Sequence, residues 1–201
     1  MESFKFTGTI REAVGKAASK GVRNSDAIPC VMYGGADPIH FSTTWHDVRH
    51  LIFTPDFKTA EVTLDGNVHT AIVKSVQFHP VSEKILHIDF LRLVPGTPVK
   101  VILPLRLRGT SPGVKAGGKL MQSIRKVGVK CLPENLVDQL TLDISKLDLG
   151  QSSRVRDIDP IEGIEITMAP AIPVVMIEIP RAMRAAAAAE AKAAAGPKKK
   201  K

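Results

Sequence analysis

Apolar and polar side chains alternate along residues 60–93, and this two-residue period constrains the fold more than any other feature. Two alternating runs in "AEVTLDGNVHTAIVKSVQFH" flank Asp65-Gly66, a pair favoured in hairpin turns, and "ILHIDFLRL" alternates again. Successive side chains of a strand point to opposite faces of its sheet. We therefore expect these strands to form part of a sheet with one buried face.

The alternation assigns the side chains of these strands to two faces. We expect the buried face to hold Ile72, Val76 and Phe78 from one strand and Leu86, Ile88 and Phe90 from the next. The opposite face then carries Gln77 and His79 together with Ile85, His87, Asp89 and Leu91. Its polar members could read nucleic-acid base edges and contact phosphates, or they could pair across a solvated sheet surface. They could also serve a hydrolase, but no nucleophile or second carboxylate lies in evident register.

The other segments predict a mainly β protein with two domains. "FKFTGTI" and "IPCVMY" have strand patterns, whereas "STTWHDVRHLIF" predicts a helix capped by Ser42 or Thr43, with Trp45, Val48 and Ile52 at helical spacing. "VPGTP" at 94–98 interrupts the pattern, and short strand-like segments follow it. We expect a first domain over 1–93, a mainly β domain over 94–180 and an Ala/Lys-rich tail over 181–201.

The net charge of +8 is distributed in blocks. Residues 94–130 hold eight basic and no acidic residues, residues 131–180 carry a net −6, and the tail carries a net +6. Blocks of positive charge are typical of proteins with a polyanionic partner, most often nucleic acid. The tail fits either an arm that neutralises phosphates or a solubilising extension.

Several classes of protein are disfavoured. Cys30 and Cys131 form no CxxC pair, which argues against a zinc ribbon and a disulfide framework. The first ten residues lack the features of a signal peptide. The sequence contains no run of 18 apolar residues, the length that a membrane span requires. We therefore expect a cytoplasmic protein that has no cofactor and no membrane partner.

Two motifs resemble catalytic or nucleotide-binding sequences without matching them. "GKAAS" at 15–19 lacks the earlier glycine and the hydroxyl side chain after the lysine that a phosphate-binding loop requires. "HDVRH" at 46–50 places His46 and His50 on one helix face, as in zinc proteases, but Asp47 replaces the glutamate and no third ligand can be identified. A metal-dependent hydrolase centred on these histidines remains an alternative, although we expect no metal.

The segment before the second strand has the chemistry of a phosphate-binding surface. It supplies Arg11, Lys16, Lys20 and Arg23 as cations, and Ser19 as a hydroxyl donor, among small side chains that allow a backbone to approach. Tyr33 precedes two glycines and has room to stack or to form a hydrogen bond. We expect a loop over residues 11–23 that binds RNA phosphates.

Four segments carry a resemblance to a known family: "VGKAAS" (14–19), "IPCVMYGG" (28–35), "VQFHPVSEKILHIDFLRL" (76–93) and "SPGVKAGGKL" (111–120). They resemble the bacterial large-subunit ribosomal proteins that bind 5S ribosomal RNA, in the long form related to general stress protein CTC. The resemblance covers about residues 3–180. It implies an N-terminal six-stranded antiparallel β-barrel with a few helices, followed by a second mainly β domain.

The resemblance also implies which residues bind RNA. The family's contacting positions fall on Arg11, Lys16, Ser19, Lys20, Arg23, Tyr33, Gln77, His79, His87 and Asp89. This chain departs from the family's usual Ser-Arg-Arg-Leu-Arg, because Lys20 and Gly21 stand in place of two arginines. The departure removes two guanidinium groups from the expected phosphate contact and leaves its location unchanged.

From the residues and the resemblance together, we expect a non-catalytic component of the bacterial 50S subunit that binds 5S rRNA through its first domain. Residues 94–130 and the tail are candidates for contacts with 23S rRNA or neighbouring ribosomal proteins. The alternative function is binding of another structured RNA, such as a transfer RNA or a stress-related transcript.

Overall fold

The computed structural model describes residues 3–35, 37–181 and 183, and it is mainly β. Its strands are β1 (Ser3–Ile10), β2 (Ala27–Tyr33), β3 (Ile39–Thr44), β4 (Thr59–Leu64), β5 (Asn67–Phe78), β6 (Ile85–Arg92), β7 (Val99–Arg108), β8 (Lys119–Gln122), β9 (Lys126–Cys131), β10 (Leu140–Asp143), β11 (Ser152–Arg154), β12 (Ile164–Ile166) and β13 (Pro173–Glu178). Its α-helices are α1 (Lys16–Asn24), α2 (Trp45–Ile52) and α3 (Pro112–Lys115), and short 3-10 turns cover Pro133–Asn135 and Val155–Asp157.

The first six strands form a closed barrel in the order β1-β3-β2-β6-β5-β4. The closed six-stranded barrel is confirmed, but the expected antiparallel pairing holds for only four of its six strand pairs. β1 pairs in parallel with β4, and β2 pairs in parallel with β6. Parallel neighbours need a long connection. Between β1 and β4 the chain forms α1, β2, β3 and α2, and between β2 and β6 it forms β3, α2, β4 and β5.

Aromatic and aliphatic side chains fill the barrel. Phe90 lies between Phe6 and Phe41, with ring centroids 5.8 and 5.6 Å away, and Phe41 and Phe90 are fully buried. Such tilted pairs add about 0.5–1.5 kcal/mol each beyond the apolar area that they bury. Cys30 lies in the same core as a free thiol, and burial raises the pKa of this thiol well above its ordinary value.

The hairpin predicted at Asp65-Gly66 is confirmed. Both residues have positive φ angles, 44° and 84°, and the ladder closes on the pair Leu64 and Asn67. This conformation is the one that Asp-Gly favours in two-residue turns.

The core assignment of β5 and β6 is partly wrong, because each strand has one extra residue. The extra residues are Lys74 on β5 and Leu86 on β6, at the two points where the ladder register shifts. The shift at Lys74 places Ala71 and Val73 toward the core, so Ile72 is buried outside the barrel cluster.

The shift at Leu86 changes the other end of the same ladder. It moves Ile85 into the core, with Ile88 and Phe90, and leaves Leu86 half-buried. Phe78, also expected in the core, is 44% exposed. A single missing or additional residue inverts every alternation beyond it, which the sequence pattern does not signal.

The predicted helix after β3 is confirmed with a later start. β3 continues through Thr44, so Thr44, rather than Ser42 or Thr43, precedes the helix, and its hydroxyl donates to the Asp47 carboxylate at 2.6 Å. The buried positions of α2 are Val48 and Leu51. Trp45, which was placed at helical spacing with Val48 and Ile52, is 42% exposed.

Residues beyond 98 form two further sheets, in the orders β10-β7-β9-β12 and β11-β13-β8. The strand-like segments predicted there correspond to β7–β10, β12 and β13, whereas β11 and α3 were not predicted. Residue contacts divide the described chain into two compact units. One contains the barrel through Pro104 with Gly128–Gln139 and Ile161–Thr167, and the other contains Leu105–Val127, Leu140–Pro160 and the described residues from Met168 onward.

The predicted tail over 181–201 lies almost entirely outside the described residues. Of the predicted tail, only residues 181 and 183 are among those described. No helix within the described ranges has the length and apolar character that a membrane span requires.

Replacement of Gly8 by alanine should destabilise the barrel. A Cβ atom at Gly8 would lie 2.7 Å from Phe41 and 2.8 Å from Leu64, both buried in the core. Overpacking of this kind costs about 1–3 kcal/mol. Urea denaturation should therefore show a lower free energy of unfolding for Gly8→Ala.

Gly128→Ala is the matched control, because a Cβ there meets nothing within 4 Å. We expect its stability to equal or slightly exceed that of the wild type. Equal stability of the Gly8→Ala variant and the wild type would contradict the packing assigned to β1.

Candidate nucleic-acid interface

The expected phosphate-binding loop is a helix. Residues 16–24 form α1, so the interpretation of residues 11–23 as a loop is wrong. The segment has no long apolar stripe, and Gly21 and Ser19 lower its helix propensity. For these two reasons the sequence pattern did not predict a helix. Packing on β2 supplies stability that the isolated segment would lack.

The helix gathers most of the predicted cations on one face. Lys16, Lys20 and Arg23 follow each other at spacings of four and three residues, and Ser19 lies on the same face. Ala18 and Val22 on the side toward the barrel are half-buried, and Ser19 at the border of the two sides is half-buried as well. The helix therefore presents three cations and a hydroxyl as one stripe, here called the α1 stripe, and it contains no acidic residue.

Two features of α1 affect how well the stripe could meet an anion: its N-terminus and Gly21. Among the residues that the structure describes, no side chain caps the helix N-terminus at Gly15, which has a φ of 103°, or accepts a hydrogen bond from the first N–H groups. Helix N-termini favour anions for this reason and because of the helix dipole. Gly21 is exposed, and a Cβ there would meet nothing within 4 Å, so the position has room for the family's arginine.

Arg23 also fixes the helix to the barrel. Its Nε donates to the carbonyl oxygen of Leu86 at 3.1 Å, and Leu86 is the extra residue of β6. This hydrogen bond places the end of α1 beside the start of the strand that carries His87 and Asp89.

Arg11 is separate from the α1 stripe. Its backbone N–H donates to the carbonyl of His40 at 2.9 Å, and its Nε donates to that of Phe41 at 3.2 Å. The side chain is half-buried, and its Nη1 is buried without a hydrogen-bond partner among the described residues. The guanidinium therefore packs along β3, and its charge acts on the pKa of Cys30 by opposing the effect of burial.

The outward side chains of β5 and β6 form a second feature, here called the polar face. His87 Nδ1 lies 3.0 Å from Asp89 Oδ1, and Ser75 Oγ donates to Asp89 Oδ2. Gln77 is the register partner of His87 and is exposed. The alternation thus assigned Gln77, His87 and Asp89 to the correct face, but Ser75 was missed, although it continues the two-residue period through 77 and 79.

Tyr33 lies at the end of β2, next to the polar face. Val31 and Tyr33 pair with Asp89 and Leu91 of β6, so Tyr33 belongs to the adjoining strand. Burial and the negative charge of Asp89 raise the pKa of Tyr33 above its ordinary value. The phenol is therefore protonated near neutral pH and can donate a hydrogen bond.

His79 organises the turn between β5 and β6. Its Nδ1 accepts hydrogen bonds from the backbone N–H groups of Val81 and Ser82 at 3.3 and 3.1 Å. The backbone N–H of His79 donates to the carbonyl of Lys84 at 2.8 Å. The exposed ring is thus held at the end of the polar face.

The histidines considered for a metal site have other contacts. His50 Nε2 accepts from Arg49 Nε at 3.2 Å, and the His46 ring packs edge-on against Trp45. Within residues 3–35, 37–181 and 183, no group of three or more His, Cys, Asp or Glu side chains is arranged to hold a metal ion.

Two family models match the chain in succession. The Ribosomal L25p family matches residues 6–90, and the C-terminal domain of ribosomal protein TL5 matches residues 98–181.

Curated relatives extend the match to nearly the full length. Large ribosomal subunit protein bL25 of Bacteroides fragilis is 38% identical over 197 residues, which cover 96% of this chain and all of the relative. The bL25 protein of Porphyromonas gingivalis is 40% identical over 189 residues, covering 93% of this chain and 98% of the relative. That of Cytophaga hutchinsonii is 39% identical over 192 residues, covering 96% of this chain and all of the relative. The chain belongs to the bL25 family of large ribosomal subunit proteins.

Proposed function

We propose that this protein is a structural, non-enzymatic component of the bacterial large ribosomal subunit, which binds 5S rRNA through its N-terminal barrel. Membership of the bL25 family supports the assignment to the ribosome, and hence to the cytoplasm. The observation that carries RNA binding is the α1 stripe: three exposed cations lie on one face of a helix that has no acidic residue.

The two features of the barrel have complementary chemistry. Lys16, Lys20 and Arg23 can neutralise phosphates, a contact that supplies affinity but little sequence information. The amide, imidazole and carboxylate groups of the polar face can instead exchange hydrogen bonds with base edges and riboses, as Tyr33 can through its hydroxyl. The anchoring of Arg23 to Leu86 keeps the two features in a fixed relation, so the barrel can recognise one RNA shape.

The domain assignment and the outer contacts are part of the proposal. We assign RNA binding to residues 1–93 and treat residues 94–180 as a second domain. All eight basic residues of 94–130 are exposed, although Lys130 lies 3.9 Å from Glu165. They are candidates for contacts with 23S rRNA or neighbouring ribosomal proteins.

The function is tested by competition among RNAs. In gel shifts at moderate salt, the full-length protein should bind 5S rRNA at least tenfold more tightly than transfer RNA or an unrelated duplex of equal length. Sedimentation of a lysate at the same salt should place the protein with the large subunit. Equal affinity for all three RNAs would refute the proposal, and tighter binding of transfer RNA would favour the alternative function.

Removal of charge from the α1 stripe should make binding less sensitive to salt. Each cation that neutralises a phosphate contributes about 0.7–0.9 to the slope of log K against log salt. Lys16→Ala combined with Lys20→Ala should therefore lower the slope by about one to two units. Filter binding of 5S rRNA over a salt series measures this change.

Two variants complete this test. Lys5→Ala removes an exposed β1 cation that pairs with Glu61 at 3.1 Å, and it should leave the slope unchanged. Gly21→Arg should steepen the slope by about one unit, because the position is open to a longer side chain. An unchanged slope in the double variant would remove the α1 stripe from the interface.

Loss of the Asp89 charge should reduce selectivity. Asparagine keeps the shape of the side chain but weakens the bonds that orient Ser75 and His87. We expect Asp89→Asn to bind 5S rRNA about tenfold more weakly, and to bind an unrelated duplex as well as or better than the wild type, because a negative charge is lost near phosphates. If the affinity for both RNAs rose together, Asp89 would have no role in recognition.

A further inference from the structure

Three exposed aromatic side chains form a cluster that the α1 stripe and the polar face do not include. Trp45, Phe53 and Phe78, here called the aromatic patch, are 42%, 56% and 44% exposed. Their ring centroids follow each other at 6.4 Å from Trp45 to Phe53 and at 6.1 Å from Phe53 to Phe78. The other six aromatic residues of the chain are buried or half-buried.

The barrel does not need the aromatic patch for its core. Val48 and Leu51 fill the buried face of α2, while Trp45 and Phe53 lie at its two ends. Phe78 ends β5, beyond the second register shift. Contiguous exposed apolar surface of this kind marks an interaction site more often than scattered apolar residues do.

The charge around the patch favours a nucleobase as its partner. The Arg49 guanidinium lies 5.6 Å from the centre of the Trp45 ring, and Arg49 donates to His50 at 3.2 Å. The His46 ring lies 5.4 Å from that of Trp45. Aromatic faces beside cations stack unpaired bases and attract the phosphates attached to them.

A groove joins this patch to the α1 stripe. It has a volume of about 640 Å³, and its lining includes Trp45 of the aromatic patch, Arg23 of the α1 stripe, and Lys84. Asp26 also lines it, 3.8 Å from Lys84. The volume lies in the range of small-molecule sites and accommodates a nucleotide. Because Arg23 belongs to both the groove and the α1 stripe, an RNA held on the helix can continue into the groove.

We propose that the groove and the aromatic patch bind an unpaired nucleotide of the same RNA, with its base stacked on Trp45 and its phosphate beside Arg23 and Lys84. This inference rests on the proposed function, because the α1 stripe delivers the RNA. It adds a single-stranded element to the recognition of a folded RNA.

Trp45 is the only tryptophan of the chain, so its fluorescence reports on the site directly. The full-length protein is titrated with three RNAs. These are 5S rRNA, a perfectly paired duplex with the sequence of the 5S rRNA helix that the protein binds, and the same duplex carrying a three-nucleotide bulge. We expect the 5S rRNA and the bulged duplex, but not the paired one, to quench Trp45 and protect it from acrylamide. Trp45→Ala should weaken binding of the bulged duplex by about tenfold, and Trp45→Phe by less than about threefold.

Val68→Ala, at an exposed apolar position earlier in β5, is the control and should bind like the wild type. Circular dichroism verifies the fold of each variant, and the wild-type titration needs no substitution. If 5S rRNA binds with the expected salt dependence but Trp45 fluorescence and the Trp45→Ala affinity do not change, the subsite is refuted and the proposed function stands. If no RNA is bound selectively, both fail.

The competing occupants give different results. Quenching of Trp45 by purified large-subunit proteins without RNA would assign the patch to a protein partner and refute the inference. Self-association of the protein alone, abolished by Trp45→Ala in sedimentation velocity, would assign it to a second copy and refute it equally.

Discussion

Parallel pairing of β1 with β4 closes the first sheet, and the candidate interface depends on that closure. The ladder runs over six residue pairs, from Ser3 with Thr59 to Gly8 with Leu64. A closed barrel has no free edge, so every strand has one face toward the core and one toward solvent. Closure at Gly8 also lets Phe41 and Leu64 pack against the backbone of β1, where a side chain would collide with both. The inside of the barrel is thereby fixed by packing, and its outside is left to polar chemistry.

The two extra residues on β5 and β6 make this otherwise regular barrel irregular beside the candidate interface. Each extra residue reverses the alternation of inward and outward side chains beyond it, while the strand keeps its contacts with the core. Leu86 has a further role, because its carbonyl accepts the hydrogen bond that anchors Arg23. The irregularity that made β6 difficult to predict is therefore also the contact that holds the cationic helix against the polar strands. Local departures from ideal sheet geometry are common beside functional sites for this reason.

The sequence predicted those features that local chemistry determines. Asp65-Gly66 specifies its turn by the φ angles that these residues accept, and the period of two placed Gln77, His87 and Asp89 outside. It did not predict α1, a nine-residue helix that buries none of its residues completely, although its cations recur at helical spacing. The register shifts at Lys74 and Leu86 and the parallel closure depend on contacts between distant segments, which a pattern within one segment does not encode. The resemblance to a family supplied the barrel's closure, and the alternation alone could not have done so.

Under the proposed function, the position of Asp89 restricts how an RNA can approach the barrel. Asp89 accepts from Ser75 and lies 3.0 Å from His87, while its charge raises the pKa of Tyr33. A carboxylate repels phosphates, so a polar face centred on Asp89 is a poor surface for an RNA backbone. It suits a groove instead, where base amino groups and ribose hydroxyls can donate to it. The cations at Lys16 and Lys20 lie on α1, outside the polar face, and suit the flanking phosphates. The arrangement therefore favours an RNA whose groove lies over β5 and β6 and whose backbone passes along α1.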